Sequence, residues 1–336
     1  MAALPERRGR GVTAILVVRP SSLGDIVHAL ALVADVREYR PGTAVDWVAE
    51  EGFAPLVALD PGIRRVVPFA LRRWRNHPLS AAAWREMSTF RDDLRRDRYS
   101  AVLDVQEQLK GALIALLARG VRHGPDRASI REPIVTLAYD VHHAIDPNQH
   151  LIDRCRQLAA AALGYRAEGP PRFGLVAPLV AASGVMPDQP YMIFLHATSR
   201  ADKLWPEANW RTLIGAFVRA GFAVLLPWGT PDEQTRSERL AAGETAARVP
   251  PRQPLGALAG LIARAELVVG VDTGLVHLAA ALGTPTVSLF VATDARLAGV
   301  ERASAAGRDL GGVGQVPSVD AVLDAAGALL RRVPSC

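Results

Sequence analysis

Short apolar runs alternate with segments of helical periodicity along both halves of this 336-residue chain, and this alternation constrains the fold most. In the first half the predicted strands are residues 13–18, 44–49, 65–69 and 101–105, and the predicted helices are residues 25–39, 79–96 and 109–118. Strands that alternate with helices pair in parallel and are covered by helices on both faces. The first half therefore predicts an α/β domain with a doubly wound parallel sheet.

The alternation restarts after residues 164–190, a stretch rich in glycine and proline that predicts an interdomain linker. The second half has predicted strands at residues 191–196, 223–227, 267–271 and 286–290, and predicted helices at residues 206–220, 232–241, 255–263, 275–282 and 319–331. We expect an N-terminal domain over 1–175, a C-terminal domain over 186–317, and a final helix within 318–336 that packs back toward the N-terminal domain. Two such domains place a cleft between the carboxyl ends of their sheets, where doubly wound folds bind ligands.

The composition is that of a globular protein, with 49% hydrophobic and 22% charged residues, and it excludes a disordered or fibrous chain. Cys155 and Cys336 are too few for a disulfide framework, which favours a reducing cytosol. The longest stretch without formal charge, residues 273–293, is divided by Gly283 and Pro285, so we predict no membrane-spanning helix. The apolar run near the N-terminus is too short for the core of a signal peptide.

The net charge of +5 is unevenly distributed along the chain. Residues 1–175 hold 25 basic and 20 acidic residues, and the remainder holds 14 of each. All basic residues except Lys110 and Lys203 are arginines. The asymmetry indicates either an anionic partner of the first half or a nucleotide bias in the genome.

The loop between the first predicted strand and helix has residue types that suit an anion or a polar sugar. Ser21, Ser22 and Gly24 can present backbone N–H groups at a helix N-terminus, and Asp25 follows them. Taken alone, Asp25 is more typical of a carboxylate that only caps the helix. A triad of Ser22, Asp25 and His28 is not predicted, because these residues share one helical turn and no GxSxG elbow occurs.

Two loops of the second half have similar features. Thr198 and Ser199, followed by Lys203, can hold a diphosphate, although as an isolated pattern the segment is more typical of a surface loop with an incidental lysine. Residues 272–274 (DTG) open a helix and combine a carboxylate with free N–H groups, which suits sugar hydroxyls and phosphate oxygens. The alternative there is a capped helix whose His277 packs internally.

An arginine cluster at Arg64, Arg65, Arg72, Arg73 and Arg75 suits phosphate or carboxylate, but also a solvated basic face. Nucleic acid is not a predicted partner, because no helix-turn-helix, RRM or zinc motif accompanies the cluster. No metal site is predicted, because His142, His143 and His150 show no metal-ligand spacing.

Several segments recur together in one known family. They are residues 19–25 (RPSSLGD), 45–53 (VDWVAEEGF), 72–75 (RRWR), 131–133 (REP), 196–203 (HATSRADK), 205–206 (WP), 227–231 (PWGTP) and 271–277 (VDTGLVH). In this order they resemble the lipopolysaccharide heptosyltransferases, in particular those that add the first heptose. The resemblance implies the GT-B fold, in which two Rossmann-like doubly wound parallel-sheet domains face each other across a cleft.

The resemblance implies an inverting glycosyltransferase. It would move L-glycero-D-manno-heptose from ADP-heptose to the Kdo sugar of Kdo-bearing lipid A during synthesis of the lipopolysaccharide inner core. ADP-heptose would be the donor substrate, and no cofactor or metal would be required. We expect a monomeric enzyme in the cytoplasm, bound peripherally at the cytoplasmic face of the inner membrane.

By similarity, Asp25 would be the general base on the acceptor hydroxyl, and Lys203 would neutralise the leaving diphosphate. The implied donor-binding residues are Thr198, Ser199, Lys203, Glu233, Asp272, Thr273, Gly274 and His277. The implied acceptor-binding residues are Ser21, Ser22, Gly24, Arg72, Arg73, Arg75 and Lys110.

Three positions depart from the family pattern. Glu107 stands where the family usually has glycine, and Gly111 stands where serine is common. Residues 290–295 (FVATDA) lack the usual glycine or proline before Thr293 and the proline after Asp294. These departures concern the acceptor side near Glu107 and the nucleotide side near Val291.

Three alternatives remain open. A paralogous heptosyltransferase would add a later core heptose, and the segments VDWVAEEGF and RRWR argue against it. A sugar-nucleotide epimerase of the same fold would need neither a lipid acceptor nor the arginine cluster. A non-catalytic binder of nucleotide sugars would be indicated by the absence of Asp25 or Lys203, and both are present.

Overall fold

Six parallel strands form the first of two sheets in the computed structural model, which describes residues 13–77, 80–178 and 186–330. Its strands are β1 (Ala14–Val18), β2 (Ala44–Glu50), β3 (Ile63–Phe69), β4 (Tyr99–Asp104), β5 (Gly120–Pro125) and β6 (Val141–His143). They lie in the order β3-β2-β1-β4-β5-β6. The four predicted strands are confirmed as β1 to β4, and the sequence analysis missed β5 and β6 at the edge.

The second sheet also has six parallel strands. They are β7 (Tyr191–Leu195), β8 (Ala223–Leu225), β9 (Ala247–Arg248), β10 (Leu267–Val271), β11 (Thr286–Phe290) and β12 (Gly307–Gly311). Their order is β12-β11-β10-β7-β8-β9. The predicted strands β7, β8, β10 and β11 are confirmed, and the two short edge strands were missed.

Helices flank both sheets. Those of the first half are α1 (Leu23–Tyr39), α2 (Ala54–Val57), α3 (Leu71–Asn76), α4 (Ala81–Arg95), α5 (Leu109–Leu117) and α6 (Leu151–Leu163), with a 3-10 helix at Pro133–Ala138. Those of the second half are α7 (Glu207–Arg219), α8 (Pro231–Ala241), α9 (Leu255–Ile262), α10 (Gly274–Ala281), α11 (Ala295–Ala298) and α12 (Val319–Leu330), with a 3-10 helix at Ala201–Lys203. Residue 79 of a predicted helix, residues 179–185 of the predicted linker and residues 331–336 lie outside the described residues.

When the strands of each sheet are numbered from one to six along the chain, both sheets have the order 3-2-1-4-5-6. The order reverses beside the first strand of each sheet. In the first sheet the reversal lies between β1 and β4, and in the second between β7 and β10. Loops that leave these strands at their carboxyl ends diverge there and open a crevice for a ligand. The predicted fold of two Rossmann-like doubly wound domains is therefore confirmed, and the polar loops after β1, β7 and β10 all lie at the reversal points.

One buried apolar cluster crosses from the first domain to the second. It contains Leu30 and Val33 of α1 together with Leu258 of α9 and Leu278 of α10. α1 packs against both α6 and α10, and α2 packs against α9. Burial of apolar surface at about 25 cal/mol per Å² makes such a cluster the main attraction between the two domains.

The final helix packs differently from the prediction. Val322, Ala326 and Leu329 of α12 are buried in the core cluster of the second domain. α12 contacts α7 and the strands β11 and β12, so the expectation that it packs back toward the N-terminal domain is wrong for its described residues. The spacing of three, four and seven residues gives α12 one apolar stripe, and the second sheet covers that stripe.

Among the helices of the described ranges, none has the length and apolar character needed to cross a bilayer.

Candidate active site

Asp25 lies in the first turn of α1, directly after the loop that follows β1. Its Oδ2 atom accepts hydrogen bonds from the backbone N–H of Ser22 at 3.1 Å and from the Ser22 hydroxyl at 3.0 Å, in a capping box. Nη2 of Arg19 lies 3.1 Å from the same oxygen, while the Asp25 side chain remains 37% exposed. These contacts leave Oδ1 open, so Asp25 caps the helix and still offers one carboxylate oxygen to a ligand.

Arg19 is a functional candidate that the sequence analysis did not assign. It is buried, and its guanidinium donates to the carbonyl of Val105 at the end of β4 as well as pairing with Asp25. These two contacts fix the Asp25 carboxylate relative to the end of β4. The signal for it in the sequence was its place directly after a buried strand.

The predicted acceptor-side residues Ser21 and Lys110 contact each other. Nζ of Lys110, on α5, donates to the hydroxyl of Ser21. The backbone N–H of Ser21 donates to the Gln106 side chain at 3.2 Å, so the loops after β1 and β4 are joined at two points. Burial lowers the pKa of the Lys110 ammonium. These contacts place a cation beside the loop that carries Asp25.

Asp272 is the centre of the second polar group. Its Oδ2 accepts from Nζ of Lys203 at 2.6 Å and from the Thr293 hydroxyl at 2.7 Å, and its Oδ1 lies 3.4 Å from Nε2 of His277. Burial opposes ionisation of Asp272, but the hydrogen bonds from His277, Lys203 and Thr293 outweigh it and hold the pKa of the carboxyl well below its usual range. Thr198 joins the group by donating to the Asp272 carbonyl at 3.1 Å.

A cleft of about 970 Å³ lies beside this group, within the size range of ligand sites. The first domain contributes Leu23 and Phe53 to its walls. The predicted donor-binding residues that line it are Thr198, Ser199, Glu233, Thr273 and Gly274. Lys203, Asp272 and His277 form the adjoining hydrogen-bonded group. The structure therefore brings the predicted donor-side residues to one place, although the sequence separates them by more than 70 positions.

Glu233 has a structural partner as well as a place in the cleft wall. Its Oε2 accepts the backbone N–H of Gly229 at 2.7 Å and that of Thr230 at 3.3 Å, which caps α8. Trp228 and Leu255 provide apolar surface in the same wall. This wall combines a flat apolar side with a carboxylate, which suits a nucleoside.

The loops that carry Asp25 and Asp272 meet where α1 and α10 begin. A Cβ atom on Gly274 would lie 2.5 Å from Cδ2 of Leu23 and 2.8 Å from the backbone N of Gly24. A Cβ atom on Gly24 would lie 2.9 Å from Cδ2 of His277. Only glycine at both positions permits this separation of the two helix N-termini.

A buried histidine cluster lies behind that contact. The ring of His28 packs against the rings of His277 and His150, with centroid distances of 4.4 Å and 5.4 Å. Burial lowers the pKa of His28 well below its usual value, and the neighbouring histidines lower it further, so the ring is neutral at pH 7. His150 Nε2 lies 3.0 Å from the Gly299 carbonyl, which ties α6 to the second domain. Internal packing, the alternative for His277, therefore coexists with its contact to Asp272.

The arginine cluster is divided into two groups by its acidic partners. Arg64 and Arg65 bind the buried Asp46, with Nη2–Oδ2 distances of 2.7 and 3.0 Å, and have a structural role. Arg72 lies 2.9 Å from Glu50 and 6.0 Å above the Phe53 ring, beside the cleft.

Arg73 and Arg75 share α3 with Arg72. Arg73 pairs with Glu51 at 2.9 Å and also with Glu86. Arg75 is exposed. The sequence segment lacks acidic residues, but its neighbours in space provide them.

Glu107, which stands where the family usually has glycine, has a backbone conformation that favours glycine. Its φ is +59°, in the left-handed region that glycine adopts freely and a side chain adopts at a cost of about 1 kcal/mol. Its carboxylate pairs with Arg154, and both side chains are largely buried. The family's glycine fits this backbone without strain, while this chain has an ion pair there.

Gly111 is explained by its neighbour Asp104. A Cβ atom on Gly111 would lie 2.5 Å from Oδ1 of Asp104, which leaves no space for the serine that is common at this position. Burial raises the pKa of the Asp104 carboxyl to about 6, although Tyr139 and the backbone N–H groups of Gln106 and Glu107 donate to it. Asp104 thus holds the loop after β4 in place.

Residues 290–295, the third segment that departs from the family pattern, contact the group around Asp272. Thr293 binds Asp272, and Asp294 caps α11 by accepting the backbone N–H of Arg296 at 2.9 Å. The carbonyl of Val291 accepts the backbone N–H of Gly314 at 3.0 Å. The loop is therefore held in place without the usual glycine or proline.

Two doubly wound domains with a polar cleft between them are the arrangement of the GT-B fold. The family "Glycosyltransferase family 9 (heptosyltransferase)" matches residues 87–306. "Lipopolysaccharide heptosyltransferase 1" of Salmonella typhimurium is 42% identical to this chain over 85% of the chain and 90% of its own length. The solved structure "E. coli heptosyltransferase WaaC with ADP" has a TM-score of 0.86 and 36% identity, covering 94% of this chain and 100% of that one.

This chain belongs to glycosyltransferase family 9, the heptosyltransferases, and it is an enzyme. "Lipopolysaccharide heptosyltransferase 2" of Escherichia coli is more distant, at 25% identity over 82% of each chain.

We predict that Gly111→Ala destabilises the protein by about 1–3 kcal/mol, because the new Cβ overlaps the Asp104 carboxylate. Gly256→Ala is the matched control, since it also adds a methyl group to a helix but has nothing within 4 Å of the new atom. Urea unfolding of the two variants measures the difference. Equal stability of the two would mean that Asp104 does not restrict position 111.

Proposed function

We propose that this protein transfers L-glycero-D-manno-heptose from ADP-heptose to the Kdo sugar of Kdo-bearing lipid A, with inversion at the anomeric carbon. One observation carries the proposal. The loop of Asp25 and the loop of Asp272 meet at Gly24 and Gly274, which brings the first turn of α1, with Asp25, next to the loop proposed to bind the diphosphate. The motif resemblance and the family assignment support heptose as the transferred sugar.

The donor site in this proposal is the cleft beside Asp272. Thr273 and Gly274 begin α10, whose free N–H groups and dipole favour a diphosphate. Nζ of Lys203, now 2.6 Å from Asp272, would also face the leaving phosphate. Charge grows on the diphosphate as ADP departs, so a fixed cation and N–H groups stabilise the transition state more than the ground state. Glu233 and Trp228 would contact the nucleoside.

Asp25 is the proposed general base. Its Oδ1 would accept the proton of the Kdo hydroxyl while the hydroxyl oxygen bonds to the anomeric carbon. The bond from that carbon to the diphosphate breaks, and its electron pair leaves with ADP. A base on the face opposite the leaving group gives inversion. The contact of Arg19 with Oδ2 would hold the Asp25 carboxylate in place while Oδ1 accepts the proton.

The proposed acceptor site lies on the first domain, where the surplus positive charge of the sequence lies. Ser21, Ser22, Gly24 and Lys110 border Asp25, and the arginines of α3 lie beside Phe53 at the cleft wall. A Kdo sugar carries a carboxylate, and lipid A carries phosphates. Guanidinium and ammonium groups suit both anions.

A later-heptose transferase is the second candidate, and the difference between 42% and 25% identity argues against it. The proposal includes a monomer at the cytoplasmic face of the inner membrane that requires no metal. Its support is the same family resemblance.

The test is incubation of the purified protein with ADP-heptose and Kdo-bearing lipid A, with products identified by mass. We expect addition of one heptose by the wild type. We expect Asp25→Asn to lose about 100- to 10,000-fold in turnover, because it removes the base while keeping an oxygen that can cap α1. ADP binding by the variant, measured by calorimetry, should remain unchanged.

Two results would contradict the proposal. Heptose addition only to an acceptor that already carries a heptose would select the paralogue. Wild-type turnover by Asp25→Asn would mean that Asp25 is not the base and only caps α1.

A second prediction concerns the arginines of α3. Arg72→Ala should raise the KM for the lipid acceptor about tenfold and leave the KM for ADP-heptose unchanged, because one charged contact to an anion is lost. Arg91→Ala is the control, since Arg91 is also an exposed arginine of the first domain in an ion pair. Steady-state kinetics with each substrate varied in turn gives both constants. An equal effect on the two substrates would indicate only a solvated basic face.

A further inference from the structure

Besides Leu117, five large apolar side chains are exposed on α5 and the adjacent 3-10 helix Pro133–Ala138. We call them the apolar face: Leu109, Leu113, Leu116, Ile134 and Leu137, which are between 46% and 81% exposed. Leu109, Leu113 and Leu116 are spaced by four and three residues, so they share one side of α5. Contiguous apolar patches of this kind on soluble proteins mark sites of interaction.

The apolar face is a continuous surface because its two helices pack on each other. Ala112 of α5 is buried with Val135 and Ala138 of the 3-10 helix, in a small cluster that also includes Ile130 and Tyr139. This cluster satisfies the inner side of both helices. The leucines and the isoleucine on the outer side therefore have no role in the core. Their exposure lowers solubility and does not stabilise the fold.

Charges around the apolar face favour an anionic partner. Arg119 and Arg131 are exposed, and they lie two residues from the end of α5 and from the start of the 3-10 helix, respectively. Of the acidic side chains nearby, Asp140 is paired with Arg122 through an Nε–Oδ2 distance of 2.9 Å, and Glu132 accepts the backbone N–H of Leu109 at 3.0 Å. An apolar centre with a basic border matches a bilayer with anionic headgroups. A second copy of this chain would bring the same positive border and be repelled.

The apolar face is also continuous with the proposed acceptor site. Lys110, at the start of α5, contacts Ser21 in the loop that leads to Asp25. The nine residues of α5 extend about 13 Å from that point. A glycolipid could therefore present its sugar to Asp25 while its acyl chains stay in a bilayer against the outer side of α5.

We infer that the apolar face binds the surface of an anionic bilayer and inserts its leucines among the headgroups and first acyl carbons. The choice of occupant rests on the proposed function, but binding itself can be measured without any transfer reaction. The full-length protein is mixed with vesicles of phosphatidylglycerol and phosphatidylcholine, and with vesicles of phosphatidylcholine alone, and the bound fraction is measured by sedimentation.

The test variant is Leu113→Ser/Leu137→Ser, and the matched control is Val176→Ser/Val313→Ser, which removes two exposed valines elsewhere. We expect the test variant to lose about tenfold or more in binding to anionic vesicles, because two inserted leucines are lost. The control should bind as the wild type does. All three proteins should bind poorly to phosphatidylcholine alone.

Transfer assays separate this inference from the proposed function. The test variant should lose activity on vesicle-embedded acceptor and keep it on a water-soluble Kdo glycoside, which also shows that it folds. If no protein transfers heptose, the proposed function fails while vesicle binding still decides the inference. Wild-type vesicle binding by the test variant would overturn the inference. So would a dimeric wild type that the two substitutions convert to a monomer, because the face would then bind a second copy.

Discussion

The contact between the N-termini of α1 and α10 is the constraint on which the site depends. Gly24 and Gly274 allow the two backbones to approach to a distance that any side chain would prevent. Behind them, the rings of His28 and His277 and an apolar cluster shared by both domains hold the helices together. Because each helix follows a polar loop at the reversal point of its sheet, this one contact brings the loops of Asp25 and Asp272 face to face.

Each of the two carboxylates has a cationic partner. Arg19 contacts Asp25, and Lys203 contacts Asp272. The difference lies in what remains open. Asp25 keeps one free oxygen and partial exposure, which suits a base, whereas both oxygens of Asp272 are used in contacts with Lys203, Thr293 and His277. Similar residue types therefore have different chemistry because their hydrogen bonds differ.

Much of the fold could be predicted from the sequence, because buried parallel strands are continuous apolar runs. The edge strands β9 and β12 were missed because they are two and five residues long and polar or glycine-rich. The site motifs could be recognised in the sequence because each joins a predicted strand to a predicted helix. The same position places these loops at the carboxyl ends of the sheets, where ligands bind. The histidine cluster and the acidic partners of Arg72 and Arg73 could not be predicted, because they come from residues distant in sequence. The prediction that α12 packs toward the N-terminal domain was wrong, because an apolar stripe on a helix does not specify which sheet covers it.

The central claim is that the close approach of α1 and α10 positions the base against the donor loop. Turnover of Gly24→Ala and Gly274→Ala at saturating substrates, together with ADP affinity, tests it most directly. A shift of about 1 Å between reacting groups can cost about 100-fold. We therefore expect both variants to lose turnover by at least about tenfold, and Gly24→Ala to lose more in turnover than in ADP affinity. Wild-type turnover by Gly24→Ala would contradict the account.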